Sequence, residues 1–435
     1  MTLSTQPYKG ARDFYPEDKR IQKYMFGVMR NVAERFGYEE YDAPILEPLE
    51  IFTAKTSDEI VGEQTYSFED RGGRKVVIRP EMTPSVSRMV AGRRQELTYP
   101  LRWYSIPNLW RYERPQRGRL REHWQLNVDL FGIDGIEAEH EILLVADGIM
   151  QALGATKDMY TIKLNSRKLM NGLMRDYLQL DEAQAHKLSR LIDRMHKTDH
   201  AEFVDQVGAI FTPNQHEKGL DKALLSLLKT SNWDEVSLDA SSSEALKKIK
   251  QLINMLETSG ITNVVFDPTI MRGFDYYTDV VFEVFDNNPK NNRSMFGGGR
   301  YDGLVGLFGV KPVPTIGFGM GDVTLQNFLE DHGLIPEPNT ETDIYAVLIG
   351  DVYDRAQNAI SSLRGLGINV TVDSTGRKPE KQIRVALKKQ VNYVLFIGES
   401  ELNDGRFTLK NLYSGEEARY DIQKIASIVK DYKKT

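Results

Sequence analysis

The amino-acid sequence predicts an α+β protein that carries a helical insertion and ends in a separate α/β unit. Three observations predict this architecture. Residues 101–132 alternate polar and apolar side chains on both sides of a short polar loop, which indicates antiparallel strands. Residues 166–260 have helical periodicity with few strand signals, and beyond residue 343 strands alternate with helical stretches.

The composition excludes several classes of protein and site. The 435 residues include 56 Lys and Arg against 62 Asp and Glu, a net charge of −6, so contacts with nucleic acid require local basic patches. The absence of cysteine excludes disulfides, thiolate metal sites and cysteine nucleophiles. No apolar run approaches the length of a membrane span, and the first residues match neither a signal nor a transit peptide. We therefore expect a cytoplasmic protein without membrane contact.

The N-terminal elements follow from their spacing. A helix is predicted after Pro16, because apolar residues recur at helical intervals as far as Phe36 and Gly37 supplies a stop. Two prolines enforce an extended segment over residues 38–52. Further predicted elements are a strand at 76–79, a helix from 83 to 93, a buried helix from 137 to 153 and a strand at 160–165.

The changes in character along the chain give the expected domain boundaries. We expect residues 1–165 and 261–334 to form one discontinuous domain, interrupted by the helical insertion at 166–260. The Pro-rich, acidic stretch 335–343 is a predicted linker, and 344–435 is the α/β unit.

One strand carries a polar face that has two interpretations. Along residues 123–130, His123, Gln125, Asn127 and Asp129 share one face, and the apolar residues between them share the other. A solvated face is the commoner explanation of such a pattern. A pocket floor is the alternative, supported by Arg111 and Glu113, which end the preceding strand on one face; this mixture suits a zwitterion and a phosphate.

Two further segments are candidates for binding. The loop between these strands contains Arg114, Arg117, Arg119 and Arg121, which favours phosphate or nucleic acid over a merely solvated surface. Residues 272–285 place an arginine and two tyrosines beside a strand, which suits an anion and a hydrogen-bonding ring, although the tyrosines could equally be core aromatics. The glycine triplet 297–299 permits close backbone approach.

Other patterns in the sequence give weaker evidence for a binding site. No phosphate-binding GxxxxGK[ST] loop is present, and residues 317–322 lack the third glycine of a dinucleotide turn. His196 and His200 are four residues apart without a metal-binding pattern around them, so we interpret them as surface residues. The basic helix expected after Pro379 should bury Ile383 and Leu387; its exposed basic face is either solvated or faces tRNA.

Together these segments resemble the histidyl-tRNA synthetase family of class II aminoacyl-tRNA synthetases, over nearly the whole chain. The resemblance lies in KGARDFYPED, RPEMTPSVSR, the hairpin RYERPQRGRLREHWQLNVDLFG (motif 2), RGFDYYTDVVFE and GGGRYDGL, together with the C-terminal unit, which looks like an anticodon-binding module. It implies a class II antiparallel catalytic sheet, a homodimer formed around Pro44, a helical insertion that clamps tRNA, and ATP held on strands instead of a phosphate loop.

The resemblance also implies a role for each matching residue. Arg111 and Arg272 would be catalytic and would share the charge of the α-phosphate. The substrates would be L-histidine, ATP with Mg²⁺, and tRNA(His). Histidine would be held by Glu81, Thr83, Gln125, Asp129, Tyr276, Tyr277 and Tyr301. ATP would be held by Arg111, Glu113, Arg119 and His123, with Glu113 serving the adenine or a magnesium ion. Contacts with tRNA would come from Arg114, Arg117, Arg119, Lys381 and Arg384.

Three positions depart from the family pattern. His123 stands where bacterial members usually have an aromatic ring, and Asp129 stands where many have Glu. Motif 3 normally ends in an arginine that stacks on adenine, and Thr324 takes that position here. This loss favours an alternative, a histidine-binding paralogue without aminoacylation such as the regulatory subunit of ATP phosphoribosyltransferase. Arg111, Arg272 and the complete C-terminal unit oppose that alternative.

Overall fold

The computed structural model describes residues 3–53, 62, 64–195, 198–230, 233, 236, 238–271, 276–291, 293–337 and 340–432. The chain divides into two compact units, Met1–Ile335 and Pro336–Thr435. The division falls at the start of the stretch predicted to be a linker.

The first unit begins with a long helix and several short elements. The elements up to the central hairpin are α1 (Pro16–Arg35), β1 (Glu39–Glu40), β2 (Leu46–Pro48), α2 (Glu50–Thr53), β3 (Tyr66–Glu69), β4 (Lys75–Ile78), α3 (Thr83–Gly92), β5 (Leu101–Ser105), β6 (Asn108–Trp110) and β7 (Glu122–Phe131). The predicted helix after Pro16 is confirmed, and Gly37 follows it with a φ of +81°, a conformation that glycine adopts readily.

The helical region follows, and the chain then returns to the sheet. Its elements are α4 (Glu137–Ala152), β8 (Tyr160–Ser166), α5 (Arg167–Gly172), a π-helical turn (Leu173–Tyr177), α6 (Glu182–Asp193), α7 (His200–Gly208), α8 (Pro213–Glu217), α9 (Leu220–Leu227) and α10 (Ala240–Thr258). The return supplies β9 (Val264–Phe266), β10 (Val280–Asp286), β11 (Ser294–Arg300), a 3₁₀ turn (Val305–Phe308), β12 (Thr315–Gly321) and α11 (Asp322–Asp331).

The described strands of this unit form a mainly antiparallel sheet. Its order is β1-β5-β7-β12-β11-β10-β8-β9, and β6 pairs with the outer part of β7; only the β1–β5 and β8–β9 pairs are parallel. Helices α1, α4, α11 and the second half of α10 cover one face of the sheet with a shared hydrophobic core. The antiparallel catalytic sheet expected from the sequence is confirmed. Helix α3 and the 3₁₀ turn cover part of its other face.

Helices α5 to α9 have a hydrophobic core of their own. Leu169, Leu188, Phe203 and Leu224 are among its buried members. The first half of α10 contributes Leu246 to this core, whereas Ile249 three residues later belongs to the core under the sheet. Helix α10 therefore joins the helical region (residues 167–258) to the catalytic sheet.

The second unit is the predicted α/β fold. Its elements are β13 (Ile344–Leu348), α12 (Tyr353–Gly365), β14 (Val370–Val372), α13 (Pro379–Lys388), β15 (Tyr393–Ile397), α14 (Glu399–Asp404), β16 (Phe407–Asn411), β17 (Glu417–Tyr420) and α15 (Ile422–Tyr432). The sheet order is β14-β13-β15-β16-β17, with parallel strands followed by two antiparallel ones.

The buried face of α13 differs from the one predicted. Leu387 is 52 % exposed, and the fully buried positions are Gln382 and Ala386. The side-chain amide of Gln382 accepts from the Leu348 N–H and donates to the Leu348 carbonyl, each at 3.0 Å. The end of β13 therefore satisfies this buried amide. The prediction that Leu387 faces the core was wrong because a glutamine with backbone partners occupies the inner position.

Candidate active site

A cavity lies on the open face of the catalytic sheet, and all seven of the predicted histidine-site residues line it. Its walls come from β7, β11, β12, the start of α3 and the tyrosine segment before β10. The lining residues are Glu81, Thr83, Arg111, Gln125, Asn127, Asp129, Tyr276, Tyr277, Gly297, Tyr301, Gly317, Phe318 and Gly319. The structure thus brings together residues that are up to about half the chain apart in sequence.

The alternation along β7 explains why this strand can form the cavity floor. Leu126 and Val128 are fully buried in the core on one side, while Gln125, Asn127 and Asp129 line the cavity on the other. The pocket interpretation of the polar face is therefore confirmed over the solvated one.

Glycines in the neighbouring strands make room for these polar side chains. A Cβ atom at Gly319 would lie 2.8 Å from the Gln125 amide, and one at Gly317 would collide with the Asp129 carboxylate. Gly317 pairs with Asp129 in the sheet register, and Gly319 pairs with Asn127. The glycines of β12 therefore give the polar face of β7 the depth of a pocket.

Asp129 is the buried acidic group at the bottom of the cavity. It is 4 % exposed and accepts a hydrogen bond from the Tyr301 hydroxyl and another, at 3.4 Å, from the Tyr41 hydroxyl. Burial raises the pKa of Asp129 to about 7, and the two phenols offset only part of that effect. Near pH 7 this carboxyl is therefore about half ionised, and its ionised form is an acceptor for a ligand N–H group.

Tyr41 is a site residue that the sequence analysis missed. It lies just after β1 in the segment interpreted only as extended, and its ring packs on Trp103 at a centroid distance of 5.7 Å. Tyr41 and Asp129 are 88 residues apart, so no local pattern connects them.

Glu81 and the tyrosines form the opposite wall. The Tyr276 hydroxyl donates to Glu81 Oε2 at 3.2 Å, and Glu81 is 2 % exposed. The ring of Tyr276 lies 4.8 Å from that of Tyr277 and 5.8 Å from that of Tyr301, measured between centroids. This wall presents a carboxylate and aromatic surface to the cavity.

Arg111 brings a positive charge to the cavity. It directly follows β6, which ends at Trp110, and its Nε donates to the Pro80 carbonyl at 2.9 Å. Arg111 and Glu113 were predicted to end the strand, but they begin the loop that follows it. The Arg111 N–H still donates to the Arg121 carbonyl at 2.8 Å. The bond to Pro80 leaves the terminal guanidinium nitrogens for an anion.

His123 lies on the same strand face, beyond the cavity lining. Burial and the nearby positive charges of Arg111 and Arg12 lower its pKa to about 3. His123 is therefore a neutral imidazole at physiological pH, which suits stacking against a heterocycle.

The arginines of the motif 2 loop (residues 111–121) fall into two groups. Arg114, Arg117 and Arg119 are exposed; Arg117 pairs with Asp331 of α11 at 2.6 Å, and Arg119 lies 3.4 Å from Glu113. Arg121 is different, because it is 9 % exposed and its guanidinium lies 3.9 Å from the centroid of the Tyr112 ring. Arg121, which was counted with the other three in the basic loop, is therefore held within the protein and is not part of the exposed basic surface.

Thr324 has a structural role at the position of the missing arginine. Its hydroxyl donates to the Met295 carbonyl at 2.7 Å, and its methyl group faces the tip of the motif 2 loop at Gly118. The neighbouring Asp322 pairs with Arg12 at 2.7 Å and accepts from the Trp124 backbone N–H at 3.0 Å. The start of α11 is thus anchored to β7 without an arginine at 324.

The remaining predicted residues lie outside the cavity or outside the described residues. Arg272 and His196 lie outside the described residues. His200 is exposed at the start of α7, and Lys381 and Arg384 are exposed on α13 in the second unit. Within the described ranges, no three His, Asp or Glu side chains come together as a metal site. None of the helices in the described ranges is long and apolar enough to cross a membrane.

The buried carboxyl of Asp129 should reduce stability as pH rises. A folded-state pKa near 7, against about 4 in the unfolded chain, means that the folded state binds more protons between these values. The cost is absent below pH 4, grows through this window and reaches on the order of 4 kcal/mol above pH 7. Thermal unfolding should therefore show Asp129→Asn gaining Tm relative to the unsubstituted protein from pH 5 to pH 8. A Tm difference that does not change with pH would contradict this assignment.

Comparisons with known proteins agree with the geometry. The family model "Histidyl-tRNA synthetase" matches residues 10–323, and the model "Anticodon binding domain" matches residues 343–432. A histidine–tRNA ligase of Leptospira biflexa is 43 % identical over 431 residues, covering 99 % of this chain and 98 % of that protein. A histidine–tRNA ligase of Thermoplasma volcanium is 35 % identical, covering 95 % of this chain and 96 % of that protein.

A solved structure supports the fold. The crystal structure of histidyl-tRNA synthetase from Nostoc sp. PCC 7120 superposes with a TM-score of 0.82 at 21 % identity, covering 99 % of this chain and 100 % of that one. Since the family model spans most of the chain and the identity to the Leptospira protein extends over nearly all of it, the chain belongs to the histidyl-tRNA synthetase family.

Proposed function

We propose that this protein is a histidine–tRNA ligase, which activates L-histidine with ATP and transfers it to the 3′ end of tRNA(His). The observation that carries the proposal is the buried Asp129 carboxylate, held by Tyr301 and Tyr41 at the bottom of a cavity that Arg111 also lines. This arrangement offers an acceptor for an imidazole N–H at one end and a cation for a phosphate at the other.

The amino acid binds with its side chain towards Asp129. The imidazole donates one N–H to Asp129, and Tyr277 forms part of the cavity wall around the ring. The ammonium group of histidine is held by Glu81, Thr83 and Gln125, which also orient the carboxylate towards ATP.

The first step is an in-line attack of the histidine carboxylate on the α-phosphorus of ATP, which releases pyrophosphate. The carboxylate is already ionised, so the step needs no general base. It needs cations fixed where negative charge grows, and Arg111 supplies one of them. Arg272 is proposed from the family resemblance as the second. Glu113 is one carboxylate able to hold Mg²⁺ together with ATP phosphates, the usual way proteins hold this ion.

The adenine of ATP is proposed to stack on His123, with Arg119 near the phosphates. His123→Ala should raise the KM for ATP and leave the KM for histidine nearly unchanged, because a stacking surface is lost outside the cavity. His123→Phe should keep or improve ATP binding. Steady-state pyrophosphate exchange measures both KM values, and an unchanged ATP KM for His123→Ala would refute the stacking role.

The exposed motif 2 arginines are proposed to hold the acceptor end of tRNA. Substituting Arg114 and Arg117 together by Gln should slow aminoacyl transfer and reduce its salt dependence, while pyrophosphate exchange stays near the original rate. Arg119 is kept in this variant because it is also proposed to lie near the ATP phosphates. Asp331→Asn is the matched control, because it breaks the Arg117 pair without removing an arginine. Equal losses of exchange and transfer in the double variant would contradict this division.

The second unit and the subunit contact complete the proposal. Lys381 and Arg384, on the exposed side of α13, are proposed to face the tRNA.

The subunit contact is a separate part of the proposal. A homodimer around Pro44 is supported by exposed apolar side chains on one small sheet. Ile45 and Leu46, at the start of β2, are 51 % and 41 % exposed, and Phe68 of β3, on the other side of β4, is 50 % exposed. Light scattering should give twice the chain mass of 49.7 kDa. These substrates place the enzyme in the cytoplasm.

Charging of a tRNA(His) transcript with radiolabelled histidine tests the function. We expect histidine, and no other amino acid, to be attached in the presence of ATP. The second candidate function, a histidine-binding regulatory paralogue, is favoured only by Thr324 in place of arginine. Histidine binding in a calorimeter without any charging would support that candidate and overturn ours.

A further inference from the structure

Four charged groups lie behind the histidine pocket, outside the machinery described so far. Arg300 is 1 % exposed, and its guanidinium makes a two-point contact with Glu139 of α4, at 2.8 and 2.7 Å. Lys248 of α10 reaches the same carboxylate at 2.9 Å and also reaches Asp279 at 3.1 Å. Glu139 is fully buried and Asp279 is 2 % exposed, so both carboxylates depend on these partners.

This cluster is attached directly to the segments that carry the pocket tyrosines. Arg300 immediately precedes Tyr301, whose hydroxyl holds Asp129, and Asp279 follows Tyr277 by two residues. Between them, the Thr278 N–H donates to the Arg300 carbonyl at 2.7 Å. Tyr277 and Tyr301 also share one small hydrophobic cluster. A shift of either segment would therefore alter both tyrosines of the pocket.

Within this cluster, Lys248 is the residue that connects Glu139, the partner of Arg300, to Asp279. Without it, Glu139 would keep Arg300, and Asp279 would keep the Ser166 hydroxyl at 2.9 Å and Lys168 at 3.3 Å. Burial alone would raise the pKa of Asp279, but Lys248 and Lys168 hold it below its usual range. Loss of Lys248 thus separates the two carboxylates from each other while leaving each with a partner.

We propose that Lys248 is a positioning residue for the histidine pocket: by bridging Glu139 and Asp279, it ties helix α10 to the segments that place Tyr277 and Tyr301. This inference rests on the proposed function, since it assumes that histidine occupies the cavity. It assigns to the last helix of the helical region an effect on amino-acid binding, without any contact between Lys248 and substrate. A buried ion pair is weak evidence for added stability, so we explain this bridge by the positions that it fixes and not by a gain in stability.

The test compares Lys248→Met with Lys247→Met, a matched control on the exposed side of the same helix. In histidine-dependent pyrophosphate exchange without tRNA, Lys248→Met should raise the KM for histidine roughly 2- to 30-fold, the range for network residues that do not touch a ligand. The KM for ATP should stay unchanged, and Lys247→Met should behave like the unsubstituted enzyme. Lys248→Arg, which keeps the charge, should restore most of the histidine affinity.

The failures of the two proposals are distinguishable. Absence of exchange in the unsubstituted protein and in Lys247→Met would overturn the proposed function itself. Normal exchange with the same histidine KM in Lys248→Met as in Lys247→Met would overturn only the positioning role. A parallel rise of both KM values, or loss of folded protein in both Lys248→Met and the milder Lys248→Gln, would show general support of the fold and would also overturn it.

Discussion

Arg111→Ala is expected to lower the rate of adenylate formation about 10²- to 10³-fold. Removing one fixed donor from developing transition-state charge costs about 2.7–4 kcal/mol. Arg111 is suited to this role because its Nε is anchored on the Pro80 carbonyl, so the group is oriented before the substrates arrive. The rate is measured in a single turnover with saturating histidine and ATP.

Two comparisons make the Arg111 result specific. Arg114→Ala removes a charge from the exposed loop three residues later and should leave the single-turnover rate nearly unchanged. Calorimetric histidine affinity of Arg111→Ala should fall much less than its rate. A near-normal rate, or equal losses of affinity and rate, would contradict the assignment. Arg272→Ala is expected to behave like Arg111→Ala on the family resemblance.

Asp129→Ala is expected to raise the KM for histidine by about 5- to 150-fold. The variant leaves the imidazole N–H without its buried acceptor, a penalty of about 1–3 kcal/mol. It also removes the partner of the Tyr301 and Tyr41 hydroxyls. The KM for ATP should stay close to the original value, because Asp129 lies at the bottom of the cavity, away from the arginine loop.

Tyr41→Phe provides the graded control for Asp129. It removes only the longer of the two phenol contacts, so the histidine KM should rise less than in Asp129→Ala. Equal effects of Asp129→Ala on the KM values of both substrates would instead show a structural role for Asp129.

The parts of the site that were predictable from sequence share a local signal. The alternation along β7 separates Leu126 and Val128 from Gln125 and Asp129, because successive side chains of a strand face opposite sides. The glycine triplet 297–299 was predicted to permit close approach, and a Cβ atom at Gly299 would lie 2.8 Å from the Tyr277 ring. The glycines that make room for the side chains of β7, Gly317 and Gly319, were not predicted to have this role.

The parts that were not predictable depend on long-range packing. Tyr41 reaches Asp129 from a segment whose local signal is only extended backbone. On α13, periodicity favoured Leu387 as a core residue, but Gln382 is buried because the backbone of Leu348 satisfies its amide. Arg121 resembles its neighbouring arginines in sequence, yet Tyr112 and the hydroxyl of Tyr8 hold it in the protein.

The bridge made by Lys248 is a further case of this kind. Its partners Glu139 and Asp279 lie 109 and 31 residues away along the chain. In the sequence, Lys248 is one of several lysines on a helix, and no spacing distinguishes it from Lys247. Only the packing of α10 against α4 and the start of β10 makes one of the two a partly buried bridge.

The most direct test of the central claim is histidine-dependent exchange of labelled pyrophosphate into ATP by the full-length protein. The claim is that the Asp129 pocket places the histidine carboxylate for attack on ATP beside Arg111. We predict exchange with histidine, no exchange without an amino acid or with the other amino acids, and severe loss in Arg111→Ala. Absence of exchange in a protein that binds histidine, or exchange that Arg111→Ala leaves intact, would contradict the account.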